Sequence, residues 1–262
     1  MTRLLLFCVV AVWLVPTRTD AQFDEVGIFF GISHYSGDLT ERKLEPLEFN
    51  RAWGIYVRKK MTDRFSMKYQ FTKGLLSGKD GNATVESALW RRNLSFETDI
   101  YELSAIAEYY FFRLKKGEYG ISPYVYGGLA GFYFTPYAEV GGKTYDLRYY
   151  RTEGIEYSSY QFAIPFGAGV KIQVNGMGSL GIEAGLRKTF TDYLDDVSGY
   201  YPSDLIGFVD GESMNLRTQL SYRTPEVVAD APELPKPGGR RGNPENNDWY
   251  LFFGVTLGVN LK

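Results

Sequence analysis

The chain has 262 residues and a formal charge of −2 at pH 7, and it is rich in aromatics, with 21 Tyr and 18 Phe. A single cysteine and a single histidine are too few for a disulfide framework or a metal centre built on histidine and cysteine. Its 29 basic and 31 acidic residues are nearly balanced and form no clustered basic face, so nucleic acid is not an expected partner.

At the N-terminus, Arg3 precedes the apolar run LLLFCVVAVWLV (Leu4 to Val15), and the small residues Thr19 and Ala21 suit a cleavage after Ala21. Twelve apolar residues are too few to cross a bilayer as a helix, so residues 1–21 read as a cleaved export signal. Cys8 leaves with it, and loss of Arg3, Arg18 and Asp20 shifts the formal charge to −3.

Eight strands are predicted after the signal. Val26–Ser33 sets Val26, Ile28, Phe30 and Ile32 against Gly27, Phe29, Gly31 and Ser33, and Arg51–Lys59 sets Trp53, Ile55 and Val57 against Gly54, Tyr56 and Arg58. Arg64–Thr72 alternates Phe65, Met67, Tyr69 and Phe71 with Ser66, Lys68, Gln70 and Thr72. Leu94–Phe112 follows, with Glu102, Ser104 and Glu108 on its polar parity, and then Pro123–Phe134, whose faces stay open because glycines occupy both parities. Tyr160–Val174, Ser179–Phe190 and Trp249–Leu261 complete the set, each with one continuous apolar row. Successive side chains of a strand point to opposite faces, so each of these segments has one apolar and one polar face.

The connections decide which solvent each face meets. KMTD, RLKKGEYGIS and NGMG are short polar turns, whereas the other four connections are long, about 17, 21, 25 and 58 residues. Strict alternation of short and long points to an all-β, eight-stranded antiparallel transmembrane β-barrel with short periplasmic turns and long external loops in the cell outer membrane. The polar parity is also rich in glycine (Gly27, Gly31, Gly54, Gly167, Gly169, Gly181, Gly185, Gly254, Gly258), which suits a narrow lumen filled by larger neighbours. Lys68, Glu102, Glu108, Lys171, Glu183 and Arg187 share that parity and are expected to pair across the lumen, leaving no open pore. The largest loop, about 191–248, divides into an aromatic part and a segment, about 224–248, with five prolines and three glycines that reads as disordered.

Little in the sequence points to catalysis. His34 stands near Ser33, Ser36 and Asp38, but neighbours on a strand diverge, so it reads as an ordinary loop histidine rather than the base of a hydrolase. Asp195 and Asp196 are placed in a mobile loop, their carboxylates in water, without the ligand spacing of a calcium site. YGGLAG (Tyr126 to Gly131) lies within a strand and cannot be a phosphate loop. The chain is therefore expected to have no catalytic residue, cofactor, metal or small-molecule substrate, with outer-membrane lipid as its solvent. Arg58, Lys59 and Lys60, with Arg113, Lys115 and Lys116, cluster at the periplasmic turns and are candidate contacts for a periplasmic partner.

DEVGIFFGISHYSGDL (Asp24 to Leu39) resembles the opening of a Bacteroidota outer-membrane barrel family, matching at Glu25, Gly27, Gly31, Tyr35, Gly37 and Asp38. RFSMKYQFTKG, RNLSFETDIYELSAIAEYYFF, SPYVYGGLAGFYF and NNDWYLFFGVTL resemble further family segments in order. The best-described member type of that family is PorG, the barrel component of the type IX secretion system. The resemblance implies a non-enzymatic barrel that associates, on the periplasmic side, with the ring built from PorK and PorN. A general structural or ligand-binding barrel, with its loops meeting external partners, is the alternative.

Overall fold

The structure, a computed structural model, describes residues 23–41, 45–115, 118–174, 176–209 and 213–261. The expected export signal and Lys116 lie outside the described residues. The strands are β1 (Glu25–Ser36), β2 (Asn50–Lys60), β3 (Phe65–Lys79), β4 (Ser95–Tyr110), β5 (Gly120–Val140), β6 (Lys143–Asp146), β7 (Tyr160–Val174), β8 (Gly178–Thr189), β9 (Phe208–Val209), β10 (Ser213–Met214) and β11 (Trp249–Asn260). Among the described residues three short α-helices, α1 (Ala88–Arg92), α2 (Leu147–Tyr150) and α3 (Leu216–Ser221), sit in the long connections.

Antiparallel pairing runs in the order β4-β3-β2-β1-β11-β8-β7-β5, and β4 pairs with β5, so the eight long strands close into a barrel. Closure pairs every wall strand on both sides and removes the free edges that an open sheet would leave. Strands β3 and β5 outrun the expected segments at the long-loop end, where β6 folds back on β5 as a short hairpin. One defect interrupts the wall: between Gly127↔Phe166 and Ala130↔Ala163 the β5–β7 ladder lapses opposite Pro165, which has no N–H to give.

Alternation assigns the two faces as expected. Val26, Ile28, Phe30, Ile55, Leu103, Phe162, Ile182, Val255 and Leu257 point outward in a continuous apolar belt, with Trp53, Tyr101, Tyr133 and Tyr160 toward the long-loop end. No monomer could leave such a belt in water, and in a bilayer it is the lipid contact. β5, open on sequence, turns Tyr124, Tyr126, Ala130, Phe132 and Phe134 inward and Val125, Leu129 and Tyr133 outward.

The lumen is filled. Gly27 lies against the ring of Tyr56 and Gly185 against the hydroxyl of Tyr126, where a Cβ on either glycine would overlap those atoms. Glu108 takes a two-pronged contact from Arg58, Nε to Oε2 at 2.8 Å and Nη2 to Oε1 at 3.0 Å, and a hydrogen bond from the Tyr110 hydroxyl at 2.5 Å. Arg58 also pairs with Glu25, which accepts from Lys171 Nζ at 2.7 Å and from Tyr56 Oη at 2.8 Å. Lys68 Nζ sits 2.8 Å from Glu183, whose carboxylate also accepts from Tyr124 Oη at 2.7 Å. Higher up, Glu102 takes Arg187 Nε at 3.1 Å and Tyr250 Oη at 2.8 Å. Among the described residues, four lumen carboxylates thus meet four cations, and all eight side chains are buried.

Arg58 is therefore not a surface contact. It shares the parity of Gly54 and Tyr56, so the wall turns it into the lumen, where only a carboxylate partner makes its burial tolerable.

Removing one partner of such a pair strands the other. Glu102→Leu is expected to lower the barrel's unfolding free energy by about 3–5 kcal/mol. Pairing it with Arg187→Leu should recover most of that loss, as read by urea unfolding in lipid vesicles. A double variant as weak as the sum of the two single variants would show that the pair is not coupled.

Candidate functional site

Two ends of the barrel are chemically distinct, and the long-loop end is the more elaborate. It is closed by a cap made mainly of residues 190–209 and 213–248, with Leu194, Val197 and Leu220 in one core with Phe134, Leu147 and Phe252. The cap is seated by the end of β1. Tyr35 Oη is hydrogen-bonded to Asp195 Oδ2 and lies 3.1 Å from Asp248 Oδ1. A hydroxyl has one proton, so both contacts are satisfied only when one carboxyl supplies a proton of its own. A Cβ at Gly37 would strike Asp248 Oδ1 and Tyr35 Oη. Asp38 Oδ2 accepts from Asn243 N at 2.6 Å, and its carbonyl accepts from Arg92 Nη2 at 2.8 Å. Tyr35, Gly37 and Asp38 thus clamp the last loop, while Glu25, Gly27 and Gly31 belong to the lumen and the strand contacts below it.

A second clamp ties the β5–β7 connection to the cap. Arg241 Nη1 donates to Glu153 Oε1 at 3.0 Å and to the Asp196 carbonyl at 2.5 Å, and Glu153 also accepts from the amides of Ser198 and Gly199. Asp196 accepts from Tyr157 Oη at 2.7 Å and from Thr152 Oγ1. Asp195 and Asp196, expected in water, are 1% and 2% exposed. The segment 224–248, expected to be disordered, is seated on the barrel, because Arg241 within it is a buried cation that must keep its carboxylate partner. Sequence composition could not reveal this pairing, since Glu153 and Arg241 lie 88 residues apart.

The cap holds more buried carboxylate than cation. Burial pushes Asp195 and Asp248 well above the usual carboxylate range; Asp38 and Asp192 raise Asp195 further, and Asp195 and Asp192 raise Asp248. Asp192, with both carboxyl oxygens buried, is pushed up to about 8 by its burial and by Asp38 and Glu153, with Ser198 opposing the rise. Burial also lifts Asp196, to about 6, and Arg241 limits that rise. Among the described residues no three of these groups are placed to hold a metal ion.

His34 lies within β1, not beyond it. Its Nε2 accepts from the Glu45 amide at 2.9 Å and its ring packs 4.9 Å from Phe49. Ser33 donates to the carbonyl of Arg51 at 3.4 Å and Asp38 accepts from the Asn243 amide, so His34, Ser33 and Asp38 do not converge. At the short-turn end the space between the strand ends amounts to about 40 Å³, too small for solute. Lys60 spans that mouth, 2.9 Å from Asp63 and bonded to the Leu114 carbonyl, while Arg113 is exposed and Lys115 is 58% exposed, 3.7 Å from Glu118. Lys59 continues the outward parity of β2 at the rim. Of the candidate contacts, Lys59, Arg113 and Lys115 therefore remain on the surface.

The proton excess gives the cap a pH dependence with a definite sign. A released carboxylate titrates near 4, whereas docked Asp192 titrates at about 8. The docked loop therefore holds protons that the released loop has lost, and docking weakens as pH rises through that window. Hydrogen exchange corrected for the intrinsic rate is expected to show residues 191–199 better protected at pH 5 than at pH 9. Asp192→Asn should raise protection at pH 9, and equal protection at both pH values in the parent chain would refute the assignment.

Solved structures share the architecture at low identity. The chain resembles the N-terminal β-barrel domain of Pseudomonas aeruginosa OprF (12% identity, 91% of this chain and 98% of that chain, TM-score 0.37). It also resembles Neisserial surface protein A (12%, 90% and 96%, TM-score 0.43) and Ail, the attachment invasion locus protein of Yersinia pestis (9%, 92% and 100%, TM-score 0.41). No curated protein matches the chain. A family model described as a domain of unknown function, DUF6089, matches residues 3–206, and the chain, an outer-membrane-type barrel by its own wall and lumen, belongs to that family.

Proposed function

We propose that the protein is a non-enzymatic outer-membrane barrel of the type IX secretion system, exported by its N-terminal signal and associating from its short-turn side with a periplasmic ring of PorK and PorN. The observation that carries the non-transport part of this reading is the sealed lumen. A barrel that conducts nothing acts through its two ends. The secretion part is supported by the ordered family resemblance, from Glu25-x-Gly27 to the final strand. The dispersed positions of His34, Ser33 and Asp38 argue against a hydrolase. A general structural or ligand-binding barrel is the second reading, favoured by the packed external cap.

The ring reading makes the exposed cations of the short-turn end the docking residues. Arg113→Glu with Lys115→Glu is expected to lower ring recovery about tenfold in a crosslinking pull-down from detergent-solubilised outer membranes, the equivalent of about 1.4 kcal/mol. His34→Ala is expected to be silent. Recovery of the barrel alone, with secretion intact in a deletion strain, would remove the secretion role and leave the barrel.

A further inference from the structure

The cap carries a cavity of about 560 Å³ between α1 and the last loop, whose floor is shared with the clamp residues Asp38, Arg92 and Arg241. α1 exists because Ser87 Oγ accepts from Trp90 N at 3.1 Å, and it stops at Asn93, whose φ of 58° suits asparagine in the left-handed region. That single turn presents Arg91 and Arg92 side by side to the cavity. Arg92 is neutralised, Nε 2.7 Å from Asp80, and Arg241 behind it is neutralised by Glu153. Three further cations line the space: Arg91, Lys236 and Arg240. All three are exposed, and among the described residues none has a carboxylate within ion-pair distance. Arg91 and Arg240 are steadied through Nε by the carbonyls of Glu86 (3.2 Å) and Gly242 (2.8 Å), which leaves the outer nitrogens of each guanidinium for another acceptor.

Two more features narrow the ligand. The inner wall is apolar, made by Tyr201, Tyr222 and Pro235, with the two tyrosine rings edge to face at 5.7 Å. Asn243, also in the lining, has its Oδ1 buried without a hydrogen-bond partner and so calls for an O–H or N–H donor. A ligand that answers all three must bring anionic groups for the rim, hydroxyls for Asn243, and a flat C–H face for the aromatic wall.

From this geometry we infer that the cavity binds an acidic saccharide, a sugar bearing sulfate, phosphate or carboxylate substituents, at the external face of the barrel. Arg91 and Arg240 take its anionic groups by paired N–H donors, and Lys236 contributes a third charge. Such a sugar reaches the site either free in the medium or as the head of a glycolipid. Neither the lumen network nor the short-turn end takes part, so the site stands whether or not the barrel serves secretion.

The test is isothermal titration of the full barrel in phosphatidylcholine nanodiscs with a chondroitin sulfate disaccharide, against the unsulfated disaccharide. Saturable binding of the sulfated probe, at least tenfold tighter than the unsulfated one and weakened by salt, is expected. Arg91→Glu with Arg240→Glu should reduce it by tenfold or more, while heat-modifiable migration shows the barrel still folded, since both side chains are exposed. A second titration into nanodiscs doped with lipopolysaccharide separates the sources: lost disaccharide binding marks the membrane glycolipid as occupant, and unchanged binding marks the free sugar. Equal affinity for both disaccharides, no saturable binding, or indifference to the charge reversal would overturn the proposal.

Discussion

A charge shut inside a narrow barrel must meet an opposite charge there, and the rest of this structure follows from that requirement. Eight strands leave room for side chains only. Each lumen cation is therefore held against a carboxylate, Arg58 between Glu25 and Glu108, Lys68 on Glu183, Lys171 on Glu25 and Arg187 on Glu102. Tyrosine hydroxyls supply the remaining donors, and tyrosines are bulky, so glycine stands opposite them on the neighbouring strand. The frequent glycines, the abundant tyrosines and the balanced charges are one solution to one packing problem.

The cap solves the same problem by other means. Its carboxylates outnumber the cations that reach them, and Asp195, Asp248 and Asp192 are kept tolerable by protons instead. The lumen's neutrality comes from fixed cations, whereas the cap's neutrality depends on the medium outside. Stability is accordingly divided along the barrel axis, with an interior of matched pairs and an outer layer linked to external pH.

Much of this was legible in the sequence. Alternation with period two is a strong local signal, and it placed the lumen residues Lys68, Glu102, Glu108, Lys171, Glu183 and Arg187 where the structure has them. The same rule applied to Arg58 would have put it inside beside Tyr56. Grouping it by sequence neighbourhood with Lys59 and Lys60 concealed that. β5 stayed open because its glycines fall on both parities and its inward residues are aromatic rather than polar. The cap was the least legible part. A segment with five prolines reads as disordered by composition, but proline also loses less entropy when a loop is ordered. What orders the loop is a set of contacts between residues far apart in the chain, Arg241 to Glu153 and Tyr35 to Asp248, which no local pattern announces.

The family-like residues of β1 acquire physical roles from this division. Glu25 is a hub of the lower lumen, and Tyr35, Gly37 and Asp38 seat the cap, so one strand supports both layers. Rearranging the lumen would expose several buried ion pairs at once, each costly to break, so the wall behaves as a rigid strut. The cap is held in part by titratable contacts and is the element that can respond to pH. Any partner below the short turns therefore meets a fixed surface, while chemistry arriving from outside meets the adjustable one.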